Sequence, residues 1–408
     1  MLSALAVGTS RISGLLEGYD VLATAAALRA MGADIVRHDD GVWHIHGVGV
    51  GGLMQPGMAL DMGNSGTSTR LLMGLVASHD MTATFIGDAS LSKRPMGRVT
   101  VPLGLMGATF NSAPGGRLPL MVRGLCPAVP INYTLPVASA QVKSAILLAG
   151  LNTPGVTRVI EPVPTRDHSE RMLGGFGADL SVESEGGVRT IAIRGEAELK
   201  PQDIVVAGDP SSAAFFAVAA LLVPGSCVTI NNVGLNPTRS GIFDVLRAMG
   251  GDIVAINPRE VGGEPVADLI VSHSALSGVD IDPAIVPSMV DEFPILFVAA
   301  ALAKGRSVLR GLEELRVKES DRIAVMAKGL RAIGAAVEEV PDGLIIDGSD
   351  GEAFAGGETI AAELDHRIAM SFAVAGLVST GGVTIDDMAP VATSFPNFAA
   401  LLATLGAG

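Results

Sequence analysis

The chain has 408 residues, 48% of them hydrophobic, and a formal net charge of −14. That length exceeds what a single hydrophobic core supports and predicts two domains of roughly 200 residues. The acidic balance and sparse aromatics exclude a nucleic-acid partner held through its phosphates or stacked bases, and the short apolar runs, such as Pro294 to Ala303, exclude a membrane span.

From the N-terminus, MLSALAVGTS has no basic residue ahead of its apolar stretch, which argues against a secretory signal. Met1 already falls inside a helix, and LAVGTSRISG from Leu5 turns that helix into a strand. A second helix runs to LRAMGADI, from Leu28. There a leucine and a bulky apolar residue three positions on share a face, and the glycine takes the left-handed place that ends a helix. The phrase returns as LGLMGATF from Leu103, LGGFGADL from Leu173, LRAMGGDI from Leu246, LRAIGAAV from Leu330 and LATLGAG from Leu402. A spacing of roughly 70 to 85 residues marks one supersecondary unit in six copies. A second set interleaves, helix through turn to strand: LVPGSCVTIN from Leu222, LAKGRSVLRG from Leu302 and LVSTGGVTID from Leu377, with looser versions at His79 and Leu151.

Each copy therefore reads helix, strand, helix, glycine cap, strand, and six copies predict an α/β protein. Three lie on either side of GDPSS, which puts the boundary near Ala207 to Asp209 and gives domains 1–207 and 208–408. Against this internal pattern the first copy lacks the polar helix start of its sisters, and the sixth reaches Gly408 before its last strand. Cys126 and Cys227, far apart in the chain, read as reduced thiols and predict a cytoplasmic location.

Helices of the second set start on small polar or charged residues: NSGTSTR from Asn64, SAQVKS from Ser139, DPSSAAF from Asp209, DEFPIL from Asp291 and LDHRIAM from Leu364. Such residues cap free amides, and those amides with the helix dipole form anion sites. Basic residues gather at the same ends against the acidic trend. They are Lys93, Arg94 and Arg98 in LSKRPMGR, Arg166 with His168 in PTRDH, His366 with Arg367 in LDHRIAM, and Lys318 with Arg322 in EELRVKESDR, which opens a helix along Ile323, Met326 and Leu330. Guanidinium forks suit carboxylate and phosphate. Asp291 and Glu319 add the two carboxylates that general acid and base work requires. The set predicts group transfer on multiply anionic substrates. His44 and His46 in VWHIHG share a strand face as metal ligands do, but with no third ligand they read as a structural pair, and no metal site is predicted.

The phrases LRVKESDR, GDASLSKRPMGR, ASAQVKSAILLAGL, GDPSSAAF, LDHRIAMSF and ATSFPNF resemble those of the 5-enolpyruvylshikimate-3-phosphate (EPSP) synthase family, in particular its bacterial class with glyphosate-tolerant members. The resemblance runs from Leu5 to about Leu405. It implies a two-domain inside-out α/β barrel of six βαβαββ units, three per domain, with helix starts facing a cleft that closes on substrate. It also implies transfer of the enolpyruvyl group of phosphoenolpyruvate to the 5-hydroxyl of shikimate-3-phosphate, releasing phosphate, in a cytoplasmic monomer with no metal or organic cofactor.

By motif match, the resemblance assigns Arg94, Arg322 and Arg367, with Gly66, Gln141 and Lys318, to phosphoenolpyruvate. Ser139, Ala140, Gln141 and Arg166, with Asp291 and Lys318, go to shikimate-3-phosphate. Asp291 would accept the hydroxyl proton, Lys318 would sit between the substrates, and Glu319 would protonate the methylene carbon and later help remove a proton. Gly66 is the small residue of glyphosate-sensitive members, whereas Thr393, where many members carry a lysine, agrees with the tolerant class. The family's N-terminal lysine, serine and arginine motif would lie just before Met1, as would the strand ahead of it. Two readings therefore stand, an active transferase and a binding-only or inactive homologue. A related transferase acting on UDP-N-acetylglucosamine has the same architecture, but it usually carries a reactive cysteine in the loop matching Asp88 to Arg98, and this chain has none there.

Overall fold

At five of the glycine phrases the backbone turns left-handed: Gly32, Gly107, Gly177, Gly250 and Gly334 have φ of +100°, +104°, +86°, +96° and +101°. The next amide then reaches back to the carbonyl of the phrase's leucine, Ala33 to Leu28 at 3.1 Å, Ala108 to Leu103 at 3.2 Å, and Ala178, Gly251 and Ala335 to Leu173, Leu246 and Leu330 at 2.9 Å. This is the six-to-one bond of a Schellman cap, which satisfies a free helix carbonyl, and all five leucines are buried. The sixth glycine, Gly406, lies outside the described residues, 1–405 of this computed structural model.

The chain divides into two compact units, Met1–Val206 with Glu260–Glu264, and Ala207–Arg259 with Pro265 onward. In the first unit three four-stranded sheets repeat one pattern. The strands after the buried helices, Val7–Ser13, Thr82–Ile86 and Val156–Glu161, each pair on one side with a short parallel strand and on the other with an antiparallel return strand. The return strands are Trp43–Val48, Arg117–Arg123 and Val188–Arg194, and each also pairs with the strand that follows the glycine cap. The cap-to-return hairpin supplies the last strand of the βαβαββ unit, and in three copies it turns on a glycine pair. Gly115 and Gly116, Gly186 and Gly187, and Gly262 and Gly263 all have positive φ, as a tight hairpin turn of matching twist requires. The second unit repeats the antiparallel part of the scheme in three-stranded sheets, of Cys227–Gly234, Glu264–Ser272 and Asp252–Val261, and of Lys304–Leu309, Gly343–Ser349 and Ala336–Val340, with the parallel neighbour reduced to single bridges such as Gly208 to Val233 and Asp280 to Val308. Its third sheet, among the described residues, pairs Thr359–Ile360 with Thr384–Ile385.

Each unit has its own apolar core. The helices of the polar-start set run through these cores, and Phe293–Leu302 is buried on every side. In the first unit Gly66–Ala77 crosses Ala140–Leu151 so closely that a Cβ on Gly74 would lie 2.3 Å from the Ala145 carbonyl oxygen. Interior helices with sheets around them leave the polar helix starts as the places where chemistry can be mounted. No helix among the described residues is long and apolar enough to cross a membrane. The His44 ring lies tilted against His38 with centroids 4.2 Å apart, and His46 Nδ1 lies 3.0 Å from Thr9 Oγ1, so the histidine pair is engaged on the strand surface.

Candidate active site

In the second unit the polar cluster forms around a buried guanidinium. Arg322 is the first residue of the helix Arg322–Ala332, capped by Asp321, whose carboxylate accepts from the Ala324 amide at 3.0 Å. The residues before it, Glu313–Val317, form a separate 3-10 turn, so Lys318 and Glu319 lie on the connecting loop and not in the helix itself. Arg322 donates through Nε to Asp365 Oδ2 at 2.8 Å and through its terminal nitrogens to Glu319 at 2.5 Å and Asp291 at 3.4 Å. Lys318 Nζ lies 3.5 Å from the same Asp291 Oδ1 and 2.5 Å from Glu314. Two cations and two candidate catalytic carboxylates are thus gathered by side-chain contacts.

Asp365 organises two of the basic residues. It is fully buried, receives the Ser320 hydroxyl at 3.1 Å, and caps the helix His366–Gly376 by accepting from the Arg367 amide at 2.9 Å. Burial pushes its carboxyl upward, but Arg322, by hydrogen bond and charge, and the Arg367 amide outweigh that and hold it below the usual carboxylate range. Burial, and next the charge of Arg367, lowers the pKa of His366, which favours the neutral ring.

The expectation that Asp291 opens a helix as a cap needs correction. Asp291 belongs to a 3-10 turn, Val290–Glu292; the helix begins at Phe293, and its cap residue Glu292 makes no side-chain cap bond. Proline at the second helical position removes one amide that a cap would serve, which releases both acidic side chains. Asp291 turns to Lys318 and Arg322. Glu292 turns inward, accepts from Ser211 Oγ, and lies 3.5 Å from Arg367, whose same nitrogen donates to the Asp291 carbonyl at 2.9 Å. Arg239 completes this chain at 2.8 Å from Ser211. Burial raises the Glu292 pKa more than Ser211 and Arg367 lower it.

In the first unit Ser65 caps the helix Gly66–Ala77 and Ser139 caps Ala140–Leu151, each accepting from an amide three residues on. Gly66 lies beneath two guanidiniums: a Cβ there would meet Arg70 at 3.1 Å and Arg94 at 3.2 Å. Arg94 donates to Asn64 at 2.9 Å, and Arg70 donates to Gln141 Oε1 at 2.7 Å. Gln141 in turn donates to Thr67 at 2.8 Å. Burial, then repulsion from Arg98 and Arg94, lowers the Arg70 pKa, and its Nε is buried without a hydrogen-bond partner. Crowded cations with an unused buried donor are the signature of an anion site. Ala140, Gln141, Thr67 and Arg166 line a cavity of about 370 Å³ with otherwise largely apolar walls. Thr393 ends a 3-10 turn with its hydroxyl on the Pro390 carbonyl at 2.6 Å.

The structure therefore gathers Gly66, Arg94, Ala140, Gln141 and Arg166 around adjoining helix starts of the first unit, and Asp291, Lys318, Glu319, Arg322 and Arg367 in one network of the second. Sequence reasoning missed Arg70, Asp365, Glu292, Ser211 and Arg239. Arg70 had a readable signal, being four residues beyond Gly66 and so on the same helix face.

A six-copy α/β fold with paired carboxylates set among arginines defines a transferase of anionic substrates. The chain belongs to the EPSP synthase (3-phosphoshikimate 1-carboxyvinyltransferase) family, whose model matches residues 1–402. A 3-phosphoshikimate 1-carboxyvinyltransferase of Sphingopyxis alaskensis is 74% identical, the match covering 99% of this chain and 92% of that protein. One from Zymomonas mobilis subsp. mobilis is 72% identical, covering 100% and 90%. The solved structure of EPSP synthase from Acinetobacter baumannii is similar at a TM-score of 0.94 and 48% identity, over 99% of this chain and 92% of that one.

Proposed function

We propose that this chain transfers the enolpyruvyl group of phosphoenolpyruvate to the 5-hydroxyl of shikimate-3-phosphate, the sixth step of the route to aromatic amino acids. The observation that carries the reading is the second-unit network, in which Lys318 and Arg322 both contact Asp291 while Arg322 also holds Glu319. A base, an acid and two cations are what this addition and elimination requires.

In the proposed sequence Asp291 takes the proton of the 5-hydroxyl as its oxygen bonds to C2 of phosphoenolpyruvate. Glu319 gives a proton to C3, so the methylene becomes a methyl group and a tetrahedral phosphate ketal forms. The C2–O bond to phosphate then breaks, and loss of a methyl proton, assisted by Glu319, restores the double bond. Lys318 balances charge beside both substrates. Arg94, Arg322 and Arg367, with the backbone at Gly66 and the amide of Gln141, would hold the carboxylate and phosphate of phosphoenolpyruvate. Ser139, Ala140, Gln141 and Arg166 would hold shikimate-3-phosphate. Fixed charges placed where charge develops lower the barrier without reorganising during the reaction.

The test is phosphate release with both substrates present, run beside calorimetry with shikimate-3-phosphate alone. Release that needs both substrates supports the transferase; heat of binding with no release would replace it by the binding-only reading. Glyphosate, an anion longer than phosphoenolpyruvate, would inhibit, because Gly66 carries no methyl. An inhibition constant far above the phosphoenolpyruvate KM would count against that. The exposed free thiols Cys126 and Cys227 fit a reducing, cytoplasmic location for the activity.

A further inference from the structure

The first unit contains a buried ion cluster that the transfer chemistry does not use. Lys143 lies on the helix Ala140–Leu151, one turn beyond Ser139, to whose carbonyl its amide donates at 3.2 Å. Its side chain is entirely buried. The ammonium lies 2.7 Å from Glu170 Oε1 and 3.1 Å from Glu161 Oε1, both also buried. Its remaining donor goes to a main-chain atom, the carbonyl oxygen of Arg166, at 2.9 Å. Glu161 also accepts from the hydroxyl of Thr165.

Two successive residues of one loop, Thr165 through its side chain and Arg166 through its backbone, are thus tied to the same buried charges. The other end of the tie is the helix start that presents Ser139, Ala140 and Gln141. Burying three charges is costly, and breaking such a cluster is costlier than replacing it with apolar residues, so a contribution to packing alone does not require it. Its position suits another task. A long, flexible arginine finds its ligand only if its backbone is fixed, and holding a charged group in register is worth affinity that loose attachment forfeits.

We propose that Lys143 and Thr165 are positioning residues for shikimate-3-phosphate: through the Lys143–Glu161 cluster they lock the Arg166 loop to the Ser139–Gln141 helix start, setting the spacing between the groups that grip that substrate. The proposal rests on the functional reading above.

The experiment compares the wild-type chain with Thr165→Val, which removes one hydroxyl, and Lys143→Met, using steady-state kinetics and amide hydrogen exchange over residues 162–166. In Thr165→Val the KM for shikimate-3-phosphate should rise about tenfold, the worth of one strong hydrogen bond, with the KM for phosphoenolpyruvate nearly unchanged. Exchange in the loop should quicken with the rest of the unit unaltered. Lys143→Met should do the same more strongly if it folds. Equal rises in both KM values, or an unchanged shikimate-3-phosphate KM in Thr165→Val, overturn the proposal. Should the wild type neither bind nor turn over shikimate-3-phosphate, the functional reading falls; loop exchange then decides the tether separately, and unaltered exchange in Thr165→Val overturns it.

Discussion

Arg322 and Asp365 form a fully buried ion pair, Nε to Oδ2 at 2.8 Å, in which the carboxylate also caps the helix that carries Arg367. One acidic side chain therefore aims two of the arginines proposed to hold phosphoenolpyruvate. Asp365→Asn keeps the shape and removes the charge. Breaking a buried pair costs about 3 kcal/mol, so the melting temperature should fall by several degrees and the phosphoenolpyruvate KM should rise more than the shikimate-3-phosphate KM. The pair should also show in acid. Because the folded pKa of Asp365 is depressed, its stabilisation is complete above the ordinary value of 3.8 and disappears as pH falls through the folded value. Thermal melts should show a steeper acid loss in wild type than in Asp365→Asn, and parallel curves would show that the pair is idle.

Glu292 should have the opposite sign. Burial raises its pKa above the ordinary 4.5, so the folded state binds the proton more tightly than the unfolded chain. Stability then declines as pH rises from 4.5 through the folded value. Glu292→Gln keeps a hydrogen-bonding group towards Ser211 without the charge and should melt with a smaller decline over that window. If the two proteins lose stability equally between weakly acid and neutral pH, Glu292 is not held up by burial.

Gly74 and Gly177 separate two reasons for glycine. A helix interior ordinarily gains about 1 kcal/mol from Gly→Ala, yet Gly74→Ala would put a Cβ 2.3 Å from the Ala145 backbone oxygen and should destabilise instead. At Gly177 the nearest obstacle is the Lys200 side chain at 3.8 Å, so Gly177→Ala meets only the left-handed backbone and should cost about 1 kcal/mol. Chemical denaturation of both variants checks the order, with Gly74→Ala the weaker protein.

Gly66→Ala adds a methyl 3.1 to 3.2 Å from the tips of Arg70 and Arg94. Both tips end flexible side chains and can yield a few tenths of an ångström, so the variant should fold with an unchanged melting temperature. One methyl in a pocket discriminates by about tenfold or more, and the longer glyphosate should suffer that loss while phosphoenolpyruvate loses less. Inhibition assays at fixed shikimate-3-phosphate measure both, and equal losses would mean that the methyl does not sort them.

The repeat was legible because caps obey local chemistry. Leu28, Met31 and Gly32 specify a helix end with no help from the rest of the chain, and the same holds at Leu103, Leu173, Leu246 and Leu330. Three of the return strands are also signalled locally, by the pairs Gly115–Gly116, Gly186–Gly187 and Gly262–Gly263, whereas the turns that lead to Trp43 and Gly343 carry no such pair. Asp365 and Glu292 were harder. Each lies beside a conspicuous basic or acidic neighbour, and only the fold brings Arg322 to one and Ser211 to the other. The proline after Phe293 hinted that Asp291 would not cap a helix, but where Asp291 turns instead depends on Lys318, which a local reading does not supply.

The strand Val7–Ser13 takes its parallel neighbour from Asp203–Val205, near the far end of the first unit, and Ser10 meets Gln202 across 192 positions of sequence. During synthesis that edge emerges 192 residues ahead of its partner and waits, on the order of ten to forty seconds at ordinary ribosomal rates, for the segment that covers it. An uncovered strand edge is a template for other chains, so the interval is when this protein is most exposed to misassembly and to capture by chaperones. Its closing strand, Asp203–Val205, comes later in the chain than those of the unit's other two sheets.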